Sequence, residues 1–312
     1  MPWKQGYTIS DEVAVRDEAI AWPDGARCCV LVTVDLNLAS GPEGIGARDL
    51  EGSVAQFALG DGLEGLLRAF RRRGVRATFA VPAAIAAIRP ALVRAIMAEG
   101  HEIAAHGIRG EDVSALPREA EQARIRRAAA MLAEVTGERP RGWYGLPRQS
   151  DPFAGGALSA HTIELLLDEG FLWYGNGQAD DAPHWWVADA AARRAMLTLP
   201  YHYHFDDQWF CMFPAKGTGL ENPDFLHRNW RAELAAQYAR GRCFHMVVHP
   251  QHSGFAHRLA MLDAFLASWE GYPGLWNPTG SDCAAHWEAA MPRERHLGLE
   301  PSIWRDHPGS LS

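Results

Sequence analysis

Three residues able to do acid–base or metal chemistry each close an otherwise apolar run. Asp35 ends CCVLVTVD, His106 ends EIAAH, and His249 ends MVVH. A carboxylate in an apolar strand is costly unless it is paired or used, and histidine titrates near neutral pH, where general acids and bases work. Each residue taken singly also fits a structural role in the core. Together they predict a catalytic group of Asp35, His106 and His249.

Motifs for covalent catalysis and for phosphate binding are missing from the sequence. It contains neither a GxSxG nucleophile elbow nor a glycine-rich phosphate loop. A serine or cysteine nucleophile is therefore disfavoured. The better prediction is that a water molecule attacks an activated carbonyl group, which makes the chain a hydrolase.

Polar and aromatic residues near the predicted strand ends are candidates for substrate binding. Carboxylates can position a substrate, and tryptophan rings can form platforms for a sugar or a flat heterocycle. For any one of them the alternative is structural, since aspartates cap turns and helices and tryptophans pack in cores. The predicted substrate-binding residues are Asn37, Trp143, Asp180, Asp181, Trp185 and Asp207.

Short β-rich runs alternate with helical patterns along the chain, and these elements must position the candidates. The predicted strands cover residues 28–36, 76–81, 102–106, 142–145, 171–175, 197–203, 244–249 and 274–276. Such alternation predicts an α/β fold, a single distorted (β/α) barrel of seven or eight units that is similar to a TIM barrel. An open doubly wound sheet is the alternative, but no GxGxxG follows the first strand. In a barrel, the residues after each strand converge on one face.

The chain is expected to form one domain. Its length of 312 residues suits a single large barrel, and no linker-like stretch divides it. We predict an N-terminal extension over 1–20, the barrel over 21–295 and a C-terminal tail over 296–312.

Charge and cysteine content narrow the partners and the location. A net charge of −8 disfavours nucleic acid, which requires a cationic face. No apolar run approaches the roughly 20 residues of a membrane helix, and no signal-peptide pattern opens the chain. The 5 cysteines show no CxxC spacing that would predict a disulfide framework or zinc knuckle. We expect a cytoplasmic protein with a small-molecule substrate, and leave open whether it forms a homo-oligomer.

Several segments, in order, resemble the polysaccharide deacetylase superfamily, in particular its intracellular allantoinase-like and peptidoglycan-deacetylase-like branch. The resemblance runs from about residue 20 to 290. The matching segments are WPDGARCCVLVTVDLN, GVRATFAVP, GHEIAAHG, ERPRGWYG, ADDAPHWW, LPYHYHFDD, MVVHPQHSG and SDCAAHW. Each segment is a weak signal, whereas their joint order is specific.

The resemblance implies a distorted barrel and hydrolysis of an amide C–N bond. In metal-dependent members the first motif supplies a base and a metal-binding aspartate, and the second supplies two histidines four residues apart. Asp35 matches the base, Asn37 the metal-binding aspartate, His106 the first histidine and His249 the general acid. Gly110 stands at the position of the second histidine.

Two of the three ligands that the resemblance implies are therefore replaced. Catalytic zinc usually has three protein ligands and a water, and this chain keeps too few of them at the implied positions. The expected cofactor is therefore none, or one divalent metal, with zinc the first choice. If a metal binds, Asp35 and His106 are its predicted ligands. Glu111 or Asp112 could then supply a third.

These observations predict a deacetylase-like hydrolase of a non-peptide C–N bond. Its expected substrate is a small soluble N-acylated sugar or a related amide. Two alternatives stay open: a metal-independent hydrolase of cyclic ureides or imides, and a degenerate barrel that binds a ligand without turning it over. In the enzyme, Asp35 would activate water, His106 would stabilise the oxyanion and His249 would protonate the leaving nitrogen.

Overall fold

The structure, a computed structural model, describes residues 15–145, 158–189, 192–211 and 223–296. Its strands are β1 Cys28–Asp35, β2 Thr78–Val81, β3 Glu102–Ala105, β4 Gly142–Trp143, β5 Trp173–Gly177, β6 His184–Asp189, β7 Arg194–Pro200, β8 Cys243–Val248 and β9 Leu275–Trp276. The helices are α1 Ala47–Glu51, α2 Ser53–Phe57, α3 Leu63–Arg73, α4 Ala83–Ile88, α5 Pro90–Ala98, α6 Arg118–Thr136, α7 Thr162–Asp168, α8 Asp207–Cys211, α9 Pro223–Arg240, α10 Pro250–Ser253, α11 Ala256–Ala267, α12 Gly280–Ala290 and α13 Arg293–His296.

The sheet is a run of parallel strands that curves into a distorted barrel. Along it the order is β8, β1, β2, β3, β4, β5 and β7, all parallel, with β9 also parallel to β1. Parallel strands follow from crossover helices, as the sequence alternation predicts. The predicted (β/α) barrel is thus confirmed, with seven parallel strands in its main path.

Strand β1 shows how the sheet sorts its side chains. All eight of its residues are buried, because one face meets the helices and the other lines the barrel interior. Val30, Val32 and Val34 pack with the helices, whereas Cys29 and Leu31 belong to the interior cluster. Because side chains alternate along a strand, Asp35 also faces the interior.

A seam separates β7 from β8, which share no ladder in the described part of the chain. The segment after β7 fills it. The backbone of Asp206 bridges to Val247 in β8, and Nδ1 of His245 lies 2.5 Å from the carbonyl oxygen of Pro200. This segment therefore closes the barrel beside β8.

Helix α12 covers the opposite, amino-terminal end of the barrel. The hydroxyl of Thr279 accepts a hydrogen bond from the Asp282 N–H and caps the helix. Cys283 and Trp287 then pack into the interior cluster near Trp173, the first residue of β5. The carboxyl-terminal end is left as the place for a site.

One strand differs from the sequence prediction. Residues 184–189, which lie outside the strands predicted from the sequence, form β6, and this strand runs antiparallel to β7. Its burial alternates, with Trp185 and Val187 inside, but the adjacent apolar residues of HWWVAD hide this period of two in the sequence.

Within the described residues, no helix combines the length and apolar character needed to cross a bilayer.

Candidate active site

Asp35, His106 and His249 meet at the carboxyl-terminal ends of β1, β3 and β8. Oδ2 of Asp35 lies 3.3 Å from Nε2 of His249 and 3.6 Å from Nε2 of His106. All three residues are buried. The sheet thus places one carboxylate between two imidazole rings, and neither Nε2 atom has a hydrogen-bond partner.

His106 is oriented by the backbone of the neighbouring strand. Its Nδ1 lies 2.8 Å from the carbonyl oxygen of Tyr144, directly after β4. Because a carbonyl oxygen only accepts, Nδ1 carries the hydrogen and donates it. In the neutral ring, Nε2 is then a hydrogen-bond acceptor that faces Asp35.

His249 is held by Asp207 at the start of α8. Its Nδ1 donates to Oδ1 of Asp207 over 2.7 Å, and its backbone N–H donates to the same carboxylate. The hydroxyl of Ser253 donates to Oδ2 of Asp207 at 2.5 Å. Burial alone would lower the pKa of His249, but Asp206, Asp207 and Asp35 outweigh it and hold that pKa well above its usual value. His249 is therefore cationic at neutral pH.

Asp35 carries the opposite charge. Burial works against ionisation, yet the nearby rings of His106 and His249 hold the pKa of Asp35 below its ordinary value. The backbone N–H of Asn37 also donates to its Oδ1 at 2.7 Å. The site therefore contains an ionised base in contact with a protonated acid.

A hydrogen-bonded layer inside the barrel supports these groups from below. The hydroxyl of Thr33 lies 2.7 Å from that of Tyr144 and 2.8 Å from Nε2 of His245. Burial lowers the pKa of His245 to about 4, so this ring is neutral. Gly175 leaves room for the Tyr144 ring, since a Cβ there would come within 2.1 Å of it. The layer fixes Tyr144, whose carbonyl group orients His106.

Comparisons with known proteins agree with this fold. Residues 59–150 match the family model described as polysaccharide deacetylase. A Mycobacterium smegmatis protein assigned to the polysaccharide deacetylases has a crystal structure with a TM-score of 0.75 and 30% sequence identity, over 86% of this chain and 93% of that one. The chain belongs to the polysaccharide deacetylase family.

Members of this family hydrolyse carbon–nitrogen bonds other than peptide bonds, and the chain is an enzyme of that class. A curated relative is the peptidoglycan deacetylase-like protein FGM2 of Gibberella zeae, which is 24% identical over 270 residues, 77% of this chain and 80% of the relative. Puue allantoinase matches with a TM-score of 0.74 and 24% identity, over 87% of this chain and 93% of that one. The likeness to the allantoinase shows the fold alone.

The metal position that the family resemblance implies leaves no room for a metal ligand at position 110 of this chain. A Cβ on Gly110 would lie 2.4 to 2.6 Å from side-chain atoms of Asn37, and Gly110 has φ +63°. Asn37 Oδ1 accepts the N–H of Ala39 at 3.0 Å. The asparagine side chain thus occupies the space into which a ligand at position 110 would extend, and its oxygen is already engaged.

The suggested replacement ligands are engaged as well. Oε2 of Glu111 accepts the N–H of Arg109 at 2.5 Å, and Oε1 lies 3.4 Å from Arg124. Oδ1 of Asp112 accepts the N–H of Ser114 at 2.9 Å. Both carboxylates stabilise the loop after β3, and among the described residues neither forms a group with Asp35 and His106 whose ligand atoms all lie within 4.8 Å of one another.

Another group brings three atoms of ligand type together. Carboxylate oxygens of Asp206 and Asp207 and a ring nitrogen of His249 lie within 4.8 Å of one another. Two ligands on a tetrahedral zinc ion lie about 3.3 Å apart, given bonds of about 2.0 to 2.2 Å. The 2.7 Å between His249 and Asp207 is a hydrogen bond instead. This geometry fits a shared proton better than an ion.

Two predicted substrate-binding carboxylates lie elsewhere. Asp180 forms an ion pair with Arg242, and Asp181 pairs with Arg240 at 3.0 Å. Arg242 precedes β8 and His249 follows it, so the length of the strand, about 20 Å, separates them. The structure does not bring Asp180 or Asp181 close to Asp35. The two aspartates precede β6, which pairs with β7 in the antiparallel direction, and they lie beside Arg240 and Arg242.

The two predicted tryptophan platforms are packed in the interior of the protein. Trp143 faces the helices and meets the ring of Phe171 edge-on, with centroids 5.3 Å apart. The indole N–H of Trp185 donates to the carbonyl of Met291 at 3.0 Å. Their exposed fractions of 5% and 6% leave little ring surface for a ligand. Asn37 and Asp207, by contrast, do lie beside the central group.

Sequence reasoning did not select Tyr144, His245 or Asp206 for the site. The period-two pattern of FHMVVH places His245 and His249 on one face and could have indicated the former. Asp206 lies in the same pair as Asp207, but only the structure shows that its Oδ1 is 3.6 Å from Nδ1 of His249.

Proposed function

We propose that the chain hydrolyses an amide bond of a small soluble substrate, with Asp35 as base and His249 as acid. The observation that carries this proposal is the 3.3 Å contact between the Asp35 carboxylate and Nε2 of His249 in a buried site. An ionised carboxylate and an imidazolium are the protonation states that amide hydrolysis needs at its start. A ligand-binding barrel has little use for such a pair.

In this mechanism Asp35 removes a proton from water as the water attacks the carbonyl carbon. Nε2 of His106 lies 3.6 Å from the Asp35 carboxylate and, as an acceptor, would orient that water. Stabilising the oxyanion, the role expected from the sequence, would need a proton on this atom instead. His249 then donates its Nε2 proton to the leaving nitrogen, and Asp207 stabilises its orientation throughout.

Two substrate classes fit this chemistry. An N-acylated sugar would release acetate or another carboxylate, as expected for deacetylase-like proteins. A cyclic ureide or imide would instead open its ring. The contact between Asn37 and Gly110 favours the second class as a candidate, because it supports hydrolysis without a metal at the family position.

The test is a panel of N-acetylglucosamine, its dimer, allantoin, hydantoin and succinimide, followed by NMR for a new carboxylate, which is released from the sugars as acetate or formed on the ring-opened product of the cyclic compounds. Wild type is compared with His249→Gln and with His252→Gln, whose ring centroid lies 5.6 Å from that of His249. We expect turnover of at least one compound by wild type and His252→Gln only. Binding without turnover would contradict the proposal and support the ligand-binding barrel.

Metal content decides the cofactor question separately. We propose that the protein purified without chelator and without a histidine tag contains far less than one equivalent of zinc, and that a chelator leaves its activity unchanged. One equivalent of metal that is lost together with activity would contradict this part.

We also propose a cytoplasmic location. All five cysteines are free and buried, as is usual in reducing compartments. Fractionation of the source cells with an antibody against the chain would test it.

A further inference from the structure

A second buried carboxylate faces the same nitrogen of His249 as Asp207 does. Oδ1 of Asp206 lies 3.6 Å from Nδ1, and Oδ1 of Asp207 lies 2.7 Å from it. One N–H cannot satisfy both. Asp206 and Asp207 are 1% and 0% exposed, so water does not compensate for the charge of the remaining carboxylate.

The hydrogen bonds around the two carboxylates are unequal. Asp207 receives three donors: the ring and backbone N–H groups of His249 and the hydroxyl of Ser253. Asp206 receives the N–H of Gln208 on Oδ1, while its Oδ2 meets the hydroxyl of Tyr201 at 2.8 Å. A hydroxyl group can accept as well as donate. Asp207 is therefore the better place for a negative charge, and Asp206 the better place for a proton.

The charges that face this pair favour the same assignment. His249 from the end of β8 is the cation between the pair and Asp35 of β1. His252 from α10 lies nearby, and burial lowers its pKa to about 4, so it is neutral. With all three carboxylates ionised, one imidazolium would face three negative charges. A proton on Asp206 reduces that imbalance.

We propose that the pair of Asp206 and Asp207 holds a single proton, that this proton resides on Asp206 while Asp207 stays ionised, and that Asp206 is thereby a positioning residue controlling how firmly His249 holds its own proton. When Asp206 loses this proton, a second negative charge appears 3.6 Å from Nδ1 and makes His249 a weaker acid. The effect on turnover rests on the proposed function, whereas the shared proton does not.

The acidity of Asp206 agrees with this geometry. Burial is the main cause that raises its pKa to about 7; His249 opposes the rise and Asp207 adds to it. The proton would therefore leave Asp206 within the physiological pH range.

The test is a pH titration of ¹⁵N-labelled histidine in wild type and in Asp206→Asn, followed by NMR, with His249→Gln used to assign the resonances. The asparagine is neutral, nearly the same shape, and able to donate to Tyr201. In wild type we expect the His249 nitrogen shifts to change near pH 7 while the ring stays cationic. In Asp206→Asn this change disappears, and the His249 ring loses its proton at a pH about one unit lower than in wild type.

Asp207→Asn is the matched control, since it removes the hydrogen bond that holds the ring. We expect this variant to lose the imidazolium at neutral pH, which Asp206→Asn should keep. A wild-type His249 whose shifts stay constant between pH 6 and 8, or the same inflection in Asp206→Asn, would overturn the proposal.

An infrared measurement covers the case in which Asp206→Asn does not fold. Wild type labelled with ¹³C-aspartate should show the carbonyl band of a protonated carboxyl group at pH 6 and lose it by pH 8. If no such band is present at pH 6, the shared proton is excluded. This readout needs no substrate, so its failure is distinct from a failure of the panel above.

Discussion

The two ends of β8 carry a similar arrangement with a different cation. At its amino-terminal end, Arg242 lies between Asp17 and Asp180, and at its carboxyl-terminal end, His249 lies between Asp207 and Asp35. Both cationic side chains are almost fully buried. An arginine does not give up its proton in proteins, whereas a histidine does. The same electrostatic design thus fixes a permanent charge at one end and, in the proposed mechanism, a transferable proton at the other.

The largest expected effect is on activity, and it distinguishes the two ends of β8. His249→Gln should lower kcat by at least about 10³-fold, because it removes the proton donor, whereas Arg242→Gln should change kcat by less than about threefold. Activity assays with the substrate found in the panel, and circular dichroism to check folding, would measure this. A comparable loss in both variants would show that the contrast between the ends is wrong.

The next effect compares two glycines with positive φ, Gly110 at the carboxyl-terminal end of the barrel and Gly241 at its amino-terminal end. Gly110→Ala should lower the free energy of unfolding by about 3 kcal/mol, because the new Cβ would clash with Asn37 and because alanine is strained at a positive φ. Gly241→Ala should cost only about 1 kcal/mol, since its nearest contact would be an ordinary 3.5 Å. Urea unfolding measures both. Equal losses would mean that Asn37 simply moves aside.

Between pH 5 and 7.5, we expect a pH effect on stability from Asp206 at the carboxyl-terminal end of β8. Folding raises the pKa of Asp206 from 3.8 to about 7, so its contribution to stability is complete below pH 3.8 and is lost as the pH rises to 7. Asp206→Asn should therefore reduce the fall in unfolding free energy between pH 5 and 7.5 by about 2 kcal/mol. Urea unfolding at the two pH values tests this, and an identical fall in both proteins would contradict it.

The smallest effect concerns the amino-terminal end. Arg242→Met should lower the free energy of unfolding by about 1 to 2 kcal/mol, less than for a fully buried pair, because both partner carboxylates are about one-third exposed. The loss should shrink in Asp17→Asn/Arg242→Met, measured as a double-mutant cycle. Strict additivity would show that the ion pair contributes little.

The barrel fold and the meeting of Asp35, His106 and His249 could be predicted from the sequence for a common physical reason. Residues such as Asp35 and His249 interrupt or close apolar runs, and parallel strands bring such positions to one end of a barrel. The family resemblance also implied that Gly110 stands at the position of a histidine. It could not show that Asn37 fills the space left, because that contact joins two loops.

Partners across the barrel were beyond the reach of sequence patterns. The pairing of Asp206 with His249 depends on how the segment after β7 fills the seam, and no local periodicity encodes that register. Asp180 and Asp181 lie away from the central group for a related reason. They are followed by the antiparallel strand β6. If the chain is interpreted as strictly alternating βα units, the two aspartates are instead expected beside the central group.

The closure of the barrel has a consequence for cooperativity. The segment that seals the seam between β7 and β8 is the one that supplies Asp206 and Asp207, and it pairs with Val247 two residues before His249. Opening this seam would break the backbone bridge and separate the acid from its carboxylates in one event. In the proposed mechanism, local unfolding and loss of catalytic competence therefore coincide, so amide hydrogen exchange along β8 should report on the fraction of molecules that are ready to react.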